Sequence, residues 1–267
     1  MQKINFWKMS GAGNDFVLLT GGRRNSAALK KLAVKLCHKT AIGADGLLYV
    51  RKGGAGAVSV RYFNSDGSEA FCGNGSRCAA LWAWSSELMK TRRFLLKSAA
   101  GDLLVEIVSK QSVKMRMPDV RSVSLYHKGT WVKPVKAVHF LNTGVPHAVV
   151  PADNLEKLDV DGLGRTLRFH RAFGPAGTNV DFVSLKKGVI RVRTYERGVE
   201  GETLACGTGI TAVALALGLD RGLKSPVTLL PRTGEKFRVW YRRAGAGATD
   251  IYVQGPAKIV FSGQVKV

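Results

Sequence analysis

Cys72-Gly73-Asn74-Gly75 opens an apolar, helix-like run, and Cys206-Gly207-Thr208-Gly209 opens a second one. The later cysteine follows the earlier by half the length of the 267-residue chain, which points to a duplicated unit. Three further pairs of blocks fit the same period. Residues 10–17 align with 143–150 through Gly11 and Gly144, residues 44–48 with 180–184 through Asp45 and Asp181, and residues 60–64 with 192–196. The offsets drift only slightly, between 132 and 136 positions, as loop insertions make them.

Alternating or β-branched runs at 47–51, 58–64, 103–108, 180–185, 189–195, 236–241 and 251–253 predict strands. Helical periodicity falls at 26–37, 75–88, around 161–169 and at 209–219, so that each half supplies two helices. Glycine-rich or proline-bearing stretches at 53–56, 174–177 and 245–247 predict turns. The expected fold is α+β: two pseudo-symmetric domains, each a curled, mostly antiparallel, barrel-like sheet around a central helix. The polar stretch 118–136 suggests the boundary, giving 1–125 with Cys72 and 126–267 with Cys206. The last strands are free in this scheme to cross back to the first domain.

With 45% hydrophobic residues the chain has enough apolar surface for ordinary cores. Its longest apolar run, 210–219, is short of the roughly 18 residues a membrane span needs, so no membrane partner is expected. Lys3, Asn5 and Lys8 break any secretory h-region, and four cysteines without a CxxC pair suit a reducing compartment, which together predict a cytoplasmic protein. A net charge of +22 raises nucleic-acid binding. The basic residues are nevertheless scattered in ones and twos, and no nucleic-acid motif accompanies them, which argues against it.

A thiol just ahead of a helix sits beside backbone N–H groups that lack helical acceptors, at the positive end of the helix dipole. A dipole contribution of up to ~2 kcal/mol would lower a thiol pKa by roughly 1.5 units from about 8.5. The same N–H groups can hold a carboxylate. Two such termini suit removal of an α-proton from an amino acid by one sulfur while the other sulfur donates its own proton to the opposite face, with no pyridoxal phosphate and no metal. Cys37 and Cys78 lie inside helical runs and read as core residues. Phosphate cradling fits poorly, since neither frame matches a P-loop or dinucleotide fingerprint.

The chain resembles the diaminopimelate epimerase family, whose cofactor-independent members interconvert LL- and meso-diaminopimelate for lysine and peptidoglycan synthesis. The resemblance rests on residues 8–16, 42–46, 63–68, 72–78, 177–180 and 195–198, running on to Cys206-Gly207-Thr208-Gly209. It implies the diaminopimelate epimerase fold, Cys72 and Cys206 as the acid/base pair, and His147 and Glu196 tuning the thiols. Gly73, Asn74, Gly207 and Thr208 would hold the α-carboxylate, and Asn14, Asn64, Asn179, Glu196 and Arg197 would recognise the rest of the substrate. The partner implied is this small-molecule substrate, with a homodimer left open. Val145 departs from the pattern, standing where many members have asparagine.

A proline or hydroxyproline racemase is a related reading, against which Asn74 argues, because those relatives usually carry histidine there. A cysteine hydrolase built on one thiol and His147 leaves the second frame unexplained.

Overall fold

The computed structural model describes residues 3–54 and 56–267, so Ala55 of the expected 53–56 turn lies outside the described residues. The chain divides into two compact units, Met1–Met115 with Gly255–Val267, and Arg116–Gln254. The division thus falls ten residues before the expected one, at the end of a strand and ahead of the polar stretch.

Unit 1 begins with β1 (Lys3–Gly11), β2 (Asn14–Thr20), α1 (Ser26–Cys37), β3 (Gly46–Lys52), β4 (Ala57–Asn64) and β5 (Glu69–Ala70). It continues with α2 (Gly73–Ser85), β6 (Arg93–Ser98), β7 (Gly101–Ser109) and β8 (Ser112–Arg116). Unit 2 repeats that order as β9 (Val123–Ser124), β10 (His139–Asn142), β11 (Pro146–Pro151), α3 (Val160–Arg168), β12 (Asn179–Lys186), β13 (Val189–Glu196) and β14 (Gly201–Thr203). Then come α4 (Gly207–Arg221), β15 (Val227–Leu230), β16 (Phe237–Ala244) and β17 (Gly247–Pro256), before β18 (Lys258–Lys266) closes unit 1.

The pairings repeat as well. In unit 1, β1 is antiparallel to β2, β2 parallel to β3, β3 antiparallel to β4, β4 parallel to β6, and β6 antiparallel to β7. The corresponding pairs of unit 2, from β10–β11 to β15–β16, follow the same senses in the same sequence. β18 lies antiparallel on the outer side of β1, where unit 2 has β9 on β10. Each sheet is curled and not closed, and antiparallel pairs dominate.

The curl wraps a helix in each unit. α2 touches β1, β2, β3, β4, β6, β7 and β18, and α4 touches β10, β11, β12, β13, β15 and β16. Both are buried on every side over ten consecutive residues, Asn74 to Ala83 and Gly209 to Gly218. α4 is apolar nearly all round and so belongs inside, and α2 is buried equally although its first turns carry Asn74, Ser76 and Arg77. Small residues at Ala79, Ala80, Ala83, Ala212, Ala214 and Ala216 let the sheet close in on it.

On the outer face of each sheet lies an amphipathic helix. α1 buries Leu29, Ala33 and Leu36 against Val17, Leu19, Leu47, Tyr49 and Phe63. α3 buries Val160 and Leu167 beside Ala148, Val150, Phe182 and Tyr195. Covered on both faces, β2 and β3 read as apolar runs without alternation, and β12, buried along the same length, carries Asp181 and Ser184 among its apolar residues. The side chain of Asn25 accepts the Ala28 N–H at 2.8 Å and caps α1. Asn25→Ala is expected to lower stability by about 1 kcal/mol, read as a reduced urea midpoint with unchanged slope.

The strand ladders correct the alignment of the two halves. Phe63 faces Leu47, and its counterpart Tyr195 faces Val180. Leu47 therefore matches Val180, and Asp45 is not the equivalent of Asp181, as the sequence blocks suggested. Leu48 is. Since Val17 runs beside Leu47 and Ala148 beside Val180, Phe16 matches His147 and Asn14 matches Val145.

Candidate active site

In unit 1, Cys72 is the N-cap of α2, with extended backbone angles and its Sγ accepting the Gly75 N–H at 3.4 Å. Gly73 and Asn74 follow as the first helical residues, so their N–H groups lie among those with no acceptor inside the helix. Asn74 donates from Nδ2 to Asn14 Oδ1 at 2.7 Å, and Asn14 donates to Asp45 Oδ2 at 2.9 Å. Behind them the buried Arg77 guanidinium donates to Asn74 Oδ1 and to the Pro256 carbonyl. Unit 1 thus brings Cys72, Gly73, Asn74 and Asn14 together. Asn64 stands at the end of β4, accepting from the Tyr62 hydroxyl at 2.8 Å and donating to Ser68 Oγ at 2.9 Å. Burial first, and then the nearby Cys72 sulfur, pushes the Tyr62 phenol pKa upward.

In unit 2, Cys206 is the N-cap of α4, and its Sγ lies 3.2 Å from Thr208 Oγ1. The first turn packs tightly on β12: a Cβ placed on Gly209 would meet Asp181 Oδ1 at 2.2 Å. Below the turn, His147 Nδ1 is 2.7 Å from Asp181 Oδ2, and His147 Nε2 is 2.9 Å from Thr208 Oγ1. His147 and Asp181 are completely buried, and Asp181 Oδ1 also accepts from Thr194 Oγ1 at 2.8 Å. Glu196, at the end of β13, accepts from Thr203 Oγ1 at 2.7 Å and from the Cys206 thiol.

Asn179 donates to the Pro146 carbonyl at 3.0 Å and accepts from the Arg197 backbone N–H at 2.8 Å. It thereby ties the start of β11 to the turn that carries Arg197. Val145 sits half-buried in the β10–β11 turn, where its carbonyl accepts from Thr143 N–H.

Electrostatics overturns one expectation. The helix terminus alone would lower the Cys206 pKa, but burial pushes it well up, and the Glu196 and Asp181 carboxylates push in the same direction. Glu196 is itself shifted up, chiefly by burial, with bonds from Thr203 and Cys206 opposing. Cys37 is pushed to about 12 by burial, which suits a core thiol.

The rise at Glu196 has a sign that can be measured. Above the unfolded carboxyl's range the unfolded chain ionises first, so this group costs stability as pH rises until the folded carboxyl also ionises. Glu196→Gln is expected to match the parent at about pH 4 and to exceed it in urea midpoint by about pH 8, while losing activity.

Among the described residues no three His, Cys, Asp or Glu side chains converge to hold a metal ion, and no helix is long and apolar enough to cross a membrane. Sequence reasoning passed over Asp181 as a site residue and used it only as a repeat marker. The signal was a carboxylate inside the apolar run 180–183, a place charged residues rarely occupy without a partner.

The diaminopimelate epimerase family profile matches residues 6–123 and 139–260. The chain belongs to the diaminopimelate epimerase family. Family enzymes from Aquifex aeolicus and Hydrogenobaculum sp. are 38% and 35% identical to it, with 98% and 97% of this chain and of each relative covered. A phenazine biosynthesis protein of the PhzF family from Bacillus anthracis superposes with a TM-score of 0.78 over 100% of both chains at 15% identity, a likeness of fold. This family member is accordingly an isomerase of the epimerase class.

Proposed function

We propose that the chain interconverts LL- and meso-2,6-diaminopimelate with Cys72 and Cys206 as its two acid/base groups and without a cofactor, supplying lysine and peptidoglycan precursors. The observation that carries this reading is the N-cap thiol on the buried helix of each unit, at matched positions of a duplicated topology. Inversion at carbon needs one group that takes the α-proton from one face and a second that returns a proton to the other. Charge that develops on the substrate carboxylate meets the N–H donors of Gly73 and Asn74 and of Gly207 and Thr208. Burial and two carboxylates favour the neutral Cys206 thiol, which suits it to the proton-delivering part of this reading.

Asn14, Asn64 and Asn179 serve as substrate contacts through the amide donor each retains beyond the bonds described. Glu196 tunes the Cys206 thiol and, with Arg197, recognises amino and carboxylate groups of the substrate, including those of its distal centre. With Val145 where Asn14 stands in unit 1, that contact is made from one unit only. The deciding experiment incubates LL-diaminopimelate with the enzyme in D₂O. Meso product carrying deuterium at the newly formed α-centre supports the reading; product without solvent deuterium sinks it.

A further inference from the structure

We propose that Asp181 is a positioning residue for the acid/base work of Cys206, acting through His147 and Thr208 as one hydrogen-bonded chain. The proposal rests on the reading of Cys206 as an acid/base group and adds Asp181, and the Thr208 hydroxyl, to the tuning of the thiols that the family resemblance implies for His147.

Asp181 Oδ2 lies 2.7 Å from His147 Nδ1, His147 Nε2 lies 2.9 Å from Thr208 Oγ1, and Thr208 Oγ1 lies 3.2 Å from Cys206 Sγ. A carboxylate only accepts, so Asp181 holds the imidazole proton on Nδ1 and leaves Nε2 as an acceptor. The Thr208 hydroxyl then donates to Nε2, and its oxygen accepts the one Cys206 S–H when that proton turns from Glu196 to Thr208. Every donor points from the thiol toward the carboxylate. When the thiol proton passes to Thr208 oxygen, the Thr208 proton passes to Nε2. The result is a thiolate receiving a hydrogen bond from Thr208 and an imidazolium held against Asp181, with no proton gained or lost.

The duplication supplies an independent argument. In unit 1 the ladder places Phe16 where unit 2 has His147, and Leu48 where unit 2 has Asp181. All four are completely buried. A Cβ on Gly75 would meet Leu48 Cδ2 and Phe16 Cε1, as one on Gly209 would meet Asp181. The fold is thus made with two apolar side chains beneath the helix start, and burying a carboxylate and an imidazole there costs more than burying hydrocarbon. The dyad is therefore not required by packing, and a role in the chemistry at the sulfur above it accounts for its presence.

The charged and titratable groups about Cys206 are Glu196 from β13, Asp181 from β12 and His147 from β11. They give the test its sign. As a bare negative charge, Asp181 opposes the thiolate, so removing it would speed Cys206 alkylation. As the anchor of the chain, it stabilises the imidazolium that accompanies the thiolate, so removing it slows alkylation.

The experiment follows iodoacetamide labelling of Cys206 and Cys72 by peptide mass spectrometry against pH in the substrate-free enzyme, with Cys72 as internal reference. In Asp181→Asn, Cys206 labelling at about pH 8 is expected to fall about tenfold with its profile moved to higher pH, and Cys72 to change less than about twofold. Thr208→Val should reproduce the fall, Thr208→Ser should restore it, and the double variant should show no further loss. If Asp181→Asn does not fold, the Thr208 pair carries the same comparison. Faster or unchanged Cys206 labelling in Asp181→Asn or Thr208→Val, or a parallel shift of both cysteines, overturns the chain. Because labelling needs no turnover, its failure leaves the epimerase reading standing, and failure of the deuterium experiment leaves the labelling result interpretable.

Discussion

Replacing either Cys72 or Cys206 by alanine is expected to abolish epimerisation, with kcat reduced by at least about 10³-fold, since in the two-base reading proposed above each removes one partner of the acid/base pair. The loss should be similar for both variants, because a step that removes a proton and a step that returns one are each indispensable. Coupled assay of meso-diaminopimelate formation measures it. The folded state should survive in both cases, as each thiol lies at a helix start and neither belongs to the apolar core. A variant that keeps more than about a tenth of parental kcat would assign its cysteine a supporting part at most. Elimination of activity by Cys206→Ala alone would favour single-thiol chemistry over the two-base reading.

The second large effect concerns glycines. Gly75 and Gly209 are the third helical residues after their cysteines, yet what lies against them differs. At Gly209 a methyl group would fall 2.2 Å from Asp181 Oδ1 and 2.9 Å from its Cγ. That carboxylate is held by His147 and Thr194 and cannot retreat without breaking a buried network. Gly209→Ala should therefore cost about 3 kcal/mol or more, combining overpacking with disruption of a buried hydrogen-bonded carboxylate. At Gly75 the closest atom is Leu48 Cδ2 at 2.9 Å, the end of a flexible side chain. Gly75→Ala should cost about 1–2 kcal/mol. Urea unfolding of the two single variants compares them directly, and equal losses would contradict the difference drawn between the two helix starts.

What the sequence disclosed follows from where its information is local. The helix starts at Cys72 and Cys206, the apolar runs behind them and the α1 periodicity are set by neighbours within a turn or two, and each is found where expected. β1 and β18 were not legible in the same way, because they pair with each other from opposite ends of the chain, Ile4 against Val265 and Phe6 against Gly263. The boundary moved for a related reason. The polar stretch looks like a linker, but Val120 bridges to Ala248 within unit 2, a contact with no sequence signal.

The site shows the same division. Cys72, Asn74, Cys206 and Thr208 announce themselves through the glycine frames. Asp181 did not, because its likeness to Asp45 in a short stretch outweighed a register that only the ladders reveal. His147 came from family likeness; its burial against Asp181 is a fact of three-dimensional packing.

The pairing of β18 with β1 also bears on how the polypeptide is born. Until residues 258–266 leave the ribosome, one edge of β1 stays open, and Phe6 lacks the edge-on ring of Phe261 that covers it in the finished fold. The first unit to be translated is thus the last to be completed, and its nascent form presents an adhesive strand throughout synthesis of the second, a window in which a chaperone or a neighbouring nascent chain competes for that edge.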